Sequence, residues 1–189
     1  AAPINWAIIN GDKETGVTTF FLKEKVDTGN IILQEKLDIG ENDTFGEVYD
    51  KLSAIGANLV LETVREIETN DVKIMEQKDE HSTPAPKIFK EDCRIDWSKS
   101  STEIHNFVRG LSPHPTAWTI LDGKILKIYQ TMKTENESKS PSGTLMKEGK
   151  KLLVNTNDNM LEILELQLEG KKRVKAIDFL NGMDFSKEH

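Results

Sequence analysis

Long apolar runs are missing from this chain: no stretch approaches the eighteen or so apolar residues that a membrane span requires. Without a spanning segment the chain is expected to be soluble and to act away from the membrane. Cysteine is nearly absent too. Cys93 is the one thiol, so no internal disulfide can form, and no Cys/His grouping with zinc-ligand spacing stands out. No signal-peptide pattern is visible, so a reducing cytoplasm is the expected compartment, no metal is expected, and Cys93 reads as an inert core or surface thiol. Excess positive charge is the third lack. A net charge of −7 argues against a general nucleic-acid binder, whose domain would be strongly basic.

The charge is unevenly spread. The first 86 residues hold 8 Lys/Arg against 17 Asp/Glu, which leaves 17 against 15 for residues 87–189. An acidic half followed by a mildly basic one suggests two modules with different partners. Between them run Gln77-Lys78-Asp79-Glu80 and Ser82-Thr83-Pro84-Ala85-Pro86, polar and held extended by proline. The expected division is therefore a unit over 1–75, a linker over 76–86 and a second unit over 87–189.

In the first unit, Pro3 suits an opening helical turn, and Ile4, Ala7 and Ile8 precede the helix stop Asn10-Gly11. Two β-prone runs, 17–22 and about 30–37, follow. Thr44 and Glu47 form a capping-box pattern ahead of Phe45, Val48, Leu52, Ile55, Leu59 and Ile67, which predicts a helix over about 45–68 whose apolar face needs cover. Gly56 inside it reads as a point of close approach. The second unit predicts a helix capped by Ser100 and Glu103, striped by Ile104, Phe107, Val108 and Leu111, and ended by Gly110. Runs at 117–121 and 124–129 flank Asp122-Gly123, a strong hairpin signal, and further short strands are expected at 143–146, 151–155 and 160–168. Residues 133–142 read as a flexible excursion and 177–182 as a short helix. Five short strands with a helix suggest a small closed or partly open barrel.

The loop joining the first two strands, Val26-Asp27-Thr28-Gly29-Asn30, carries a lone acid. Two readings are open: a surface turn in which Asp27 bonds its own backbone, or a rigid scaffold presenting a carboxylate to a cleft. Its company bears on the choice. Ala1-Ala2-Pro3-Ile4-Asn5-Trp6-Ala7-Ile8, Thr15-Gly16-Val17-Thr18-Thr19, Val26-Asp27-Thr28-Gly29-Asn30-Ile31-Ile32 and Lys87-Ile88-Phe89-Lys90-Glu91-Asp92-Cys93-Arg94-Ile95-Asp96-Trp97 occur in that order. Together they resemble the methionyl-tRNA formyltransferases nearly end to end, the first three motifs being shared with other formyltetrahydrofolate-dependent transferases.

The resemblance implies an α/β part followed by a mainly β part: the C-terminal portion of a doubly wound formyltransferase sheet domain, a linker, and an OB-like barrel that binds tRNA. It implies transfer of a formyl group from 10-formyltetrahydrofolate, as co-substrate, to the α-amine of initiator methionyl-tRNA, by an enzyme that is a monomer when intact. Such chemistry needs a stabilised tetrahedral oxyanion and a proton relay. Asp27 matches the family's Asp, which orients and charges a His. The family's Asn and His fall upstream of Ala1 and have no counterpart here, so the chain as written is expected to be inactive. The backbone of Glu24, Lys25 and Val26 matches the loop that meets the folate ring, a solvated charged loop being the alternative. Lys87, Lys90, Arg109, Lys171, Lys172 and Arg173 are the candidate tRNA contacts, although the last three, following Gly170, would also serve simply to keep a sheet edge soluble. His81, His105, His114 and His189 read as exposed or locally bonded, and Trp6, Trp97 and Trp118 as core. Two other functions stay open: a formyltransferase acting on an amino sugar nucleotide, and a non-catalytic tRNA-binding module. The Lys-x-x-Lys and Gly-Lys-Lys-Arg motifs favour the tRNA-directed enzyme.

Overall fold

The computed structural model describes residues 2–22, 30–75 and 83–182. Helix α1 (Pro3–Ile9) opens on its proline, and strands β1 (Glu14–Phe20) and β2 (Ile31–Asp38) pair antiparallel from Glu14↔Asp38 to Phe20↔Ile31. Helix α2 (Phe45–Thr69) starts on the expected capping box, Thr44 N–H donating to Glu47 Oε2 at 2.8 Å and Glu47 N–H to Thr44 Oγ1 at 3.4 Å. It stops at Asn70, whose φ of 58° is left-handed. Val48, Leu52 and Leu59 are buried, and Val48 and Leu52 form one cluster with Ile8 and Ile39, so α1 and the hairpin cover this face. Ile67 is a correction to the predicted stripe: it is exposed with Tyr49, Val60, Leu61 and Val64.

The second, larger sheet has the strand order β3-β4-β7-β6-β5, with β8 added to β7. Its members are β3 (Ala117–Leu121), β4 (Lys124–Glu137), β5 (Leu145–Glu148), β6 (Lys151–Val154), β7 (Asn159–Leu168) and β8 (Val174–Lys175). Asp122 and Gly123 turn β3 into β4 with φ of 50° and 76°, the backbone that an Asp-Gly hairpin requires. Helix α3 (Ser101–Leu111) packs on β4, and α4 (Ala176–Asn181) on β6 and β7. Between them Ile104, Val108, Leu126, Ile128, Leu152, Leu161, Ile163 and Leu166 are fully buried.

Four expectations are corrected here. The sheet has six strands, not five, and no pairing closes β3 onto β5 among the described residues, so its strand path is open. Strand β4 continues through residues 133–137, expected to be a loop, because its polar tail still pairs Lys133↔Leu161 and Glu137↔Asn159 through the backbone. Gly110 and Gly56 both depart from their expected roles. Gly110 does not end α3, which runs on to Leu111. A Cβ there would stand 2.7 Å from Ile9 Cγ1 and 3.2 Å from Asn5 O, so α1 crosses α3 at this residue. At Gly56 a Cβ would meet nothing nearer than Val17 Cγ1 at 3.8 Å, an ordinary contact.

Candidate functional site

The β1–β2 hairpin is held on three sides. Phe21 N–H donates to Asn30 O at 3.0 Å, Thr19 and Thr63 hydroxyls lie 2.8 Å apart and tie β1 to α2, and Met75 exchanges backbone bonds of 2.8 and 2.9 Å with Ile31. This base carries the exposed apolar residues Phe21, Leu22, Ile74 and Met75. Asp27, Glu24, Lys25 and Val26 belong to 23–29, which lies outside the described residues.

The cationic candidates other than Arg109 fall into three settings. Lys87 and Lys90 are exposed on the chain leading into a short 3-10 turn (Glu91–Cys93), and Phe89 between them is exposed as well. Lys171 and Lys172 are exposed in the turn joining β7 to β8. Arg173 adjoins them but is engaged: its Nη2 donates to Glu165 Oε2 at 2.6 Å and its guanidinium lies 4.0 Å from the centre of the Tyr129 ring.

Arg109 is in none of these company. It is only 6% exposed, and its Nη1 donates to Gly40 O at 3.1 Å and Asp43 O at 3.0 Å while Nε donates to Asn106 Oδ1 at 2.9 Å. The structure therefore corrects its expected role to that of a tie between α3 and the loop before α2. His105, one turn earlier, is corrected likewise: it is buried and its bonds are long-range, Nδ1 to Thr131 Oγ1 at 3.0 Å and Nε2 to Glu41 O at 3.2 Å. Burial lowers its pKa, with Arg109 and Lys133 pushing the same way, and only the Glu41 side opposes. Asn5 Nδ2 to Gly110 O at 2.8 Å and Gly46 N–H to Ser112 O at 3.0 Å complete the seam.

Among the other groups singled out from sequence, His114 is exposed, whereas His81 and His189 lie outside the described residues. Burial and the neighbouring Asp92 and Glu91 push the Cys93 thiol up, which makes it unreactive. The three indoles are half-buried, Trp97 and Trp118 packed against the larger core, and each N–H is spent: Trp6 on Pro86 O, Trp97 on Thr119 Oγ1 and Trp118 on Lys90 O. No metal-holding cluster occurs among the described residues. Phe89 and Arg94, both exposed, stand outside the candidates drawn from the sequence. The available signal was an aromatic residue set between two lysines.

Comparison with known proteins covers both halves. Residues 87–184 match the family described as formyl transferase, C-terminal domain, and residues 1–64 the family described as formyl transferase. The methionyl-tRNA formyltransferase of Porphyromonas gingivalis strain W83 is 46% identical over 100% of this chain, that of Bacteroides thetaiotaomicron 45% over 98%, and that of Chlorobium limicola 46% over 98%. The chain spans 60–62% of the length of these relatives. Among solved structures, HypX from Aquifex aeolicus in complex with tetrahydrofolic acid matches 95% of this chain and 32% of its own with a TM-score of 0.72 at 20% identity. An N-formyltransferase from Helicobacter canadensis in complex with folinic acid and dTDP-3-aminofucose matches 92% and 61% with a TM-score of 0.67 at 22% identity. At such identities these two neighbours speak for the fold. With both of its halves matched by formyl transferase families, the chain belongs to the formyl transferase family.

Proposed function

We propose that this chain serves formyl transfer from 10-formyltetrahydrofolate to the α-amine of initiator methionyl-tRNA. One observation carries the reading: identity of 45–46% along essentially the whole chain to enzymes of that one name. A neighbour of the same fold that binds tetrahydrofolic acid supports the co-substrate. On this reading the amine nitrogen attacks the formyl carbon, the resulting oxyanion collapses, the folate nitrogen leaves with a proton, and no metal takes part. The Asp27 carboxylate supplies the negative charge that keeps a neighbouring base able to accept the amine proton. The backbone of Glu24, Lys25 and Val26 lines the folate.

Lys87, Lys90, Lys171 and Lys172 then meet tRNA phosphates, Arg173 sits at the edge of that surface, and Arg109 acts by fixing α3 against the loop before α2. The finer architecture belongs to the same reading: 1–75 as the end of a doubly wound sheet domain, 76–86 as linker, and 87–189 as an OB-like barrel, in a cytoplasmic monomer. Antiparallel strands packed around α3 support the barrel.

The test is an assay of the gene product carrying this sequence, with 10-formyltetrahydrofolate and either methionyl-tRNA or a dTDP-amino sugar. Formyl-methionyl-tRNA is the expected product, and Asp27→Asn is expected to lower turnover by about two to four orders of magnitude with tRNA binding unchanged. Formylation of the sugar alone would overturn the acceptor. RNA binding without turnover would leave a binding module, and near-normal turnover in the Asp27 variant would remove that residue from the chemistry.

A further inference from the structure

A groove of about 530 Å3 opens between α1, α3 and residues 91–99, a size suited to a small planar group. Its walls combine the half-buried rings of Trp6 and Phe107 and the buried Ile104 with polar side chains, and its rim carries Asp92, Arg94, Asp96, Lys99 and Glu103. The carboxylates on this rim already accept hydrogen bonds: Asp92 from Phe89 N–H at 2.8 Å, Asp96 from Ser98 Oγ at 2.6 Å and Glu103 from Ser100 Oγ at 2.6 Å. Their charge keeps a phosphate out of the groove, while their remaining lone pairs can accept from exocyclic amino groups.

The segment leading into the 3-10 turn reaches both sides of this groove. Trp6 Nε1 donates to Pro86 O at 2.9 Å at one end, and Asp92 takes the Phe89 N–H at the other. Ile88 packs into the larger core, so Lys87 and Phe89 alternate outward. Phe89 is 57% exposed, yet its backbone is fixed twice, through N–H and through a carbonyl that accepts from Cys93 Sγ at 3.2 Å. Lys87 Nζ lies 5.4 Å from the ring centre, and Lys90 O is held by Trp118 Nε1 at 2.8 Å. Arg94 lies over the Trp118 ring at 5.8 Å. A solvent-facing ring on a fixed backbone, with Lys87 at its face and Lys90 and Arg94 within five residues along the same segment, matches the way single-stranded nucleic acid is bound, with bases on rings and phosphates on the flanking charges.

We propose that Phe89 is the stacking platform for an unpaired nucleobase, that Lys87, Lys90 and Arg94 hold the phosphates on either side of it, and that the groove receives the adjoining base. The site rests on the RNA reading above and adds a base contact to it.

Equilibrium binding of the full chain to initiator tRNA, and to a blunt RNA duplex without unpaired bases, tests both levels. Phe89→Leu keeps apolar bulk but has no ring face; it is expected to weaken tRNA binding by about 5- to 100-fold at unchanged salt slope, with duplex binding and melting temperature unaltered. Phe89→Trp is expected to restore the affinity. Unchanged tRNA affinity in Phe89→Leu, or an equal loss on the blunt duplex, overturns the stacking site while leaving RNA binding intact. Failure of the parent chain to bind either RNA overturns the RNA reading and the site with it.

Discussion

The guanidinium of Arg109 reaches 66 positions back along the chain to donate to the backbone carbonyl of Asp43 at 3.0 Å. The same Nη1 satisfies Gly40 O, so one buried side chain closes the loop that leads into the capping box of α2. Replacing Arg109 by Ala takes the donor from Asp43 O and leaves Gly40 O with the Asp43 N–H alone, and is expected to cost about 2 kcal/mol, seen as a lower denaturation midpoint. Arg109→Lys keeps the charge but not the fork, and is expected to recover only part of the loss. Neither should alter the salt slope of RNA binding. A reduced slope with unchanged stability would return Arg109 to the RNA surface.

Gly110 and Gly56 make an internal contrast. Gly110→Ala drives a Cβ into Ile9 and the Asn5 carbonyl and is expected to destabilise by about 1–3 kcal/mol. Gly56→Ala adds a methyl at ordinary contact distance inside a long helix and is expected to stabilise by about 0.5–1 kcal/mol. Thermal or urea unfolding of the two variants reads the sign directly.

Lys171 and Lys172 should separate from Arg173 despite their adjacency. Lys171→Gln with Lys172→Gln is expected to weaken tRNA binding and to flatten its log–log salt dependence by up to about one unit per lost phosphate contact. Arg173→Gln removes the Glu165 pair and the Tyr129 ring contact, so its main effect is expected on stability, about 1 kcal/mol. Salt titrations beside melting curves distinguish the two. A slope unmoved by the double lysine variant would mean a solvated turn.

Acid should act on this fold in two windows. Burial pushes the Asp158 carboxyl up, but N–H groups of Ser101 and Asn159 and the Thr156 hydroxyl more than offset it, leaving the pKa at about 2 against an ordinary 3.8. A depressed folded value means that the contribution is complete above about pH 4 and is lost as the pH falls toward 2. His105 is also depressed, by burial first, so its contribution is present above about pH 6.5 and declines below it as the unfolded chain takes up the proton. Asp158→Ala is expected to lower stability at pH 7 and to flatten the limb between about pH 4 and 2, whereas His105→Gln flattens the decline that begins near pH 6.5. Unfolding midpoints across pH 2–8 check both; acid limbs identical to the parent's would show that neither group is coupled to folding.

Local devices are legible in the residues alone: the Thr44–Glu47 and Ser100–Glu103 caps, the Asp122-Gly123 hairpin, the proline at the start of α1, and the ordered motifs that point to formyl transfer. Each is complete within a few residues, or rests on a conformation that one residue type strongly favours, so no distant partner is needed to read it. Tertiary structure alone decided which glycine another helix crosses, that Arg109 and His105 face inward across the seam, that β4 runs on through a polar stretch, and that Val174–Lys175 adds a sixth strand. It also decided that Phe89, an apolar residue, stands in solvent with Lys87 Nζ 5.4 Å from its ring centre. In most of these cases the partner lies many positions away, 64 for His105 and Glu41 and 69 for Arg109 and Gly40, and burial is a property of what the chain folds against, which no short window of residues contains.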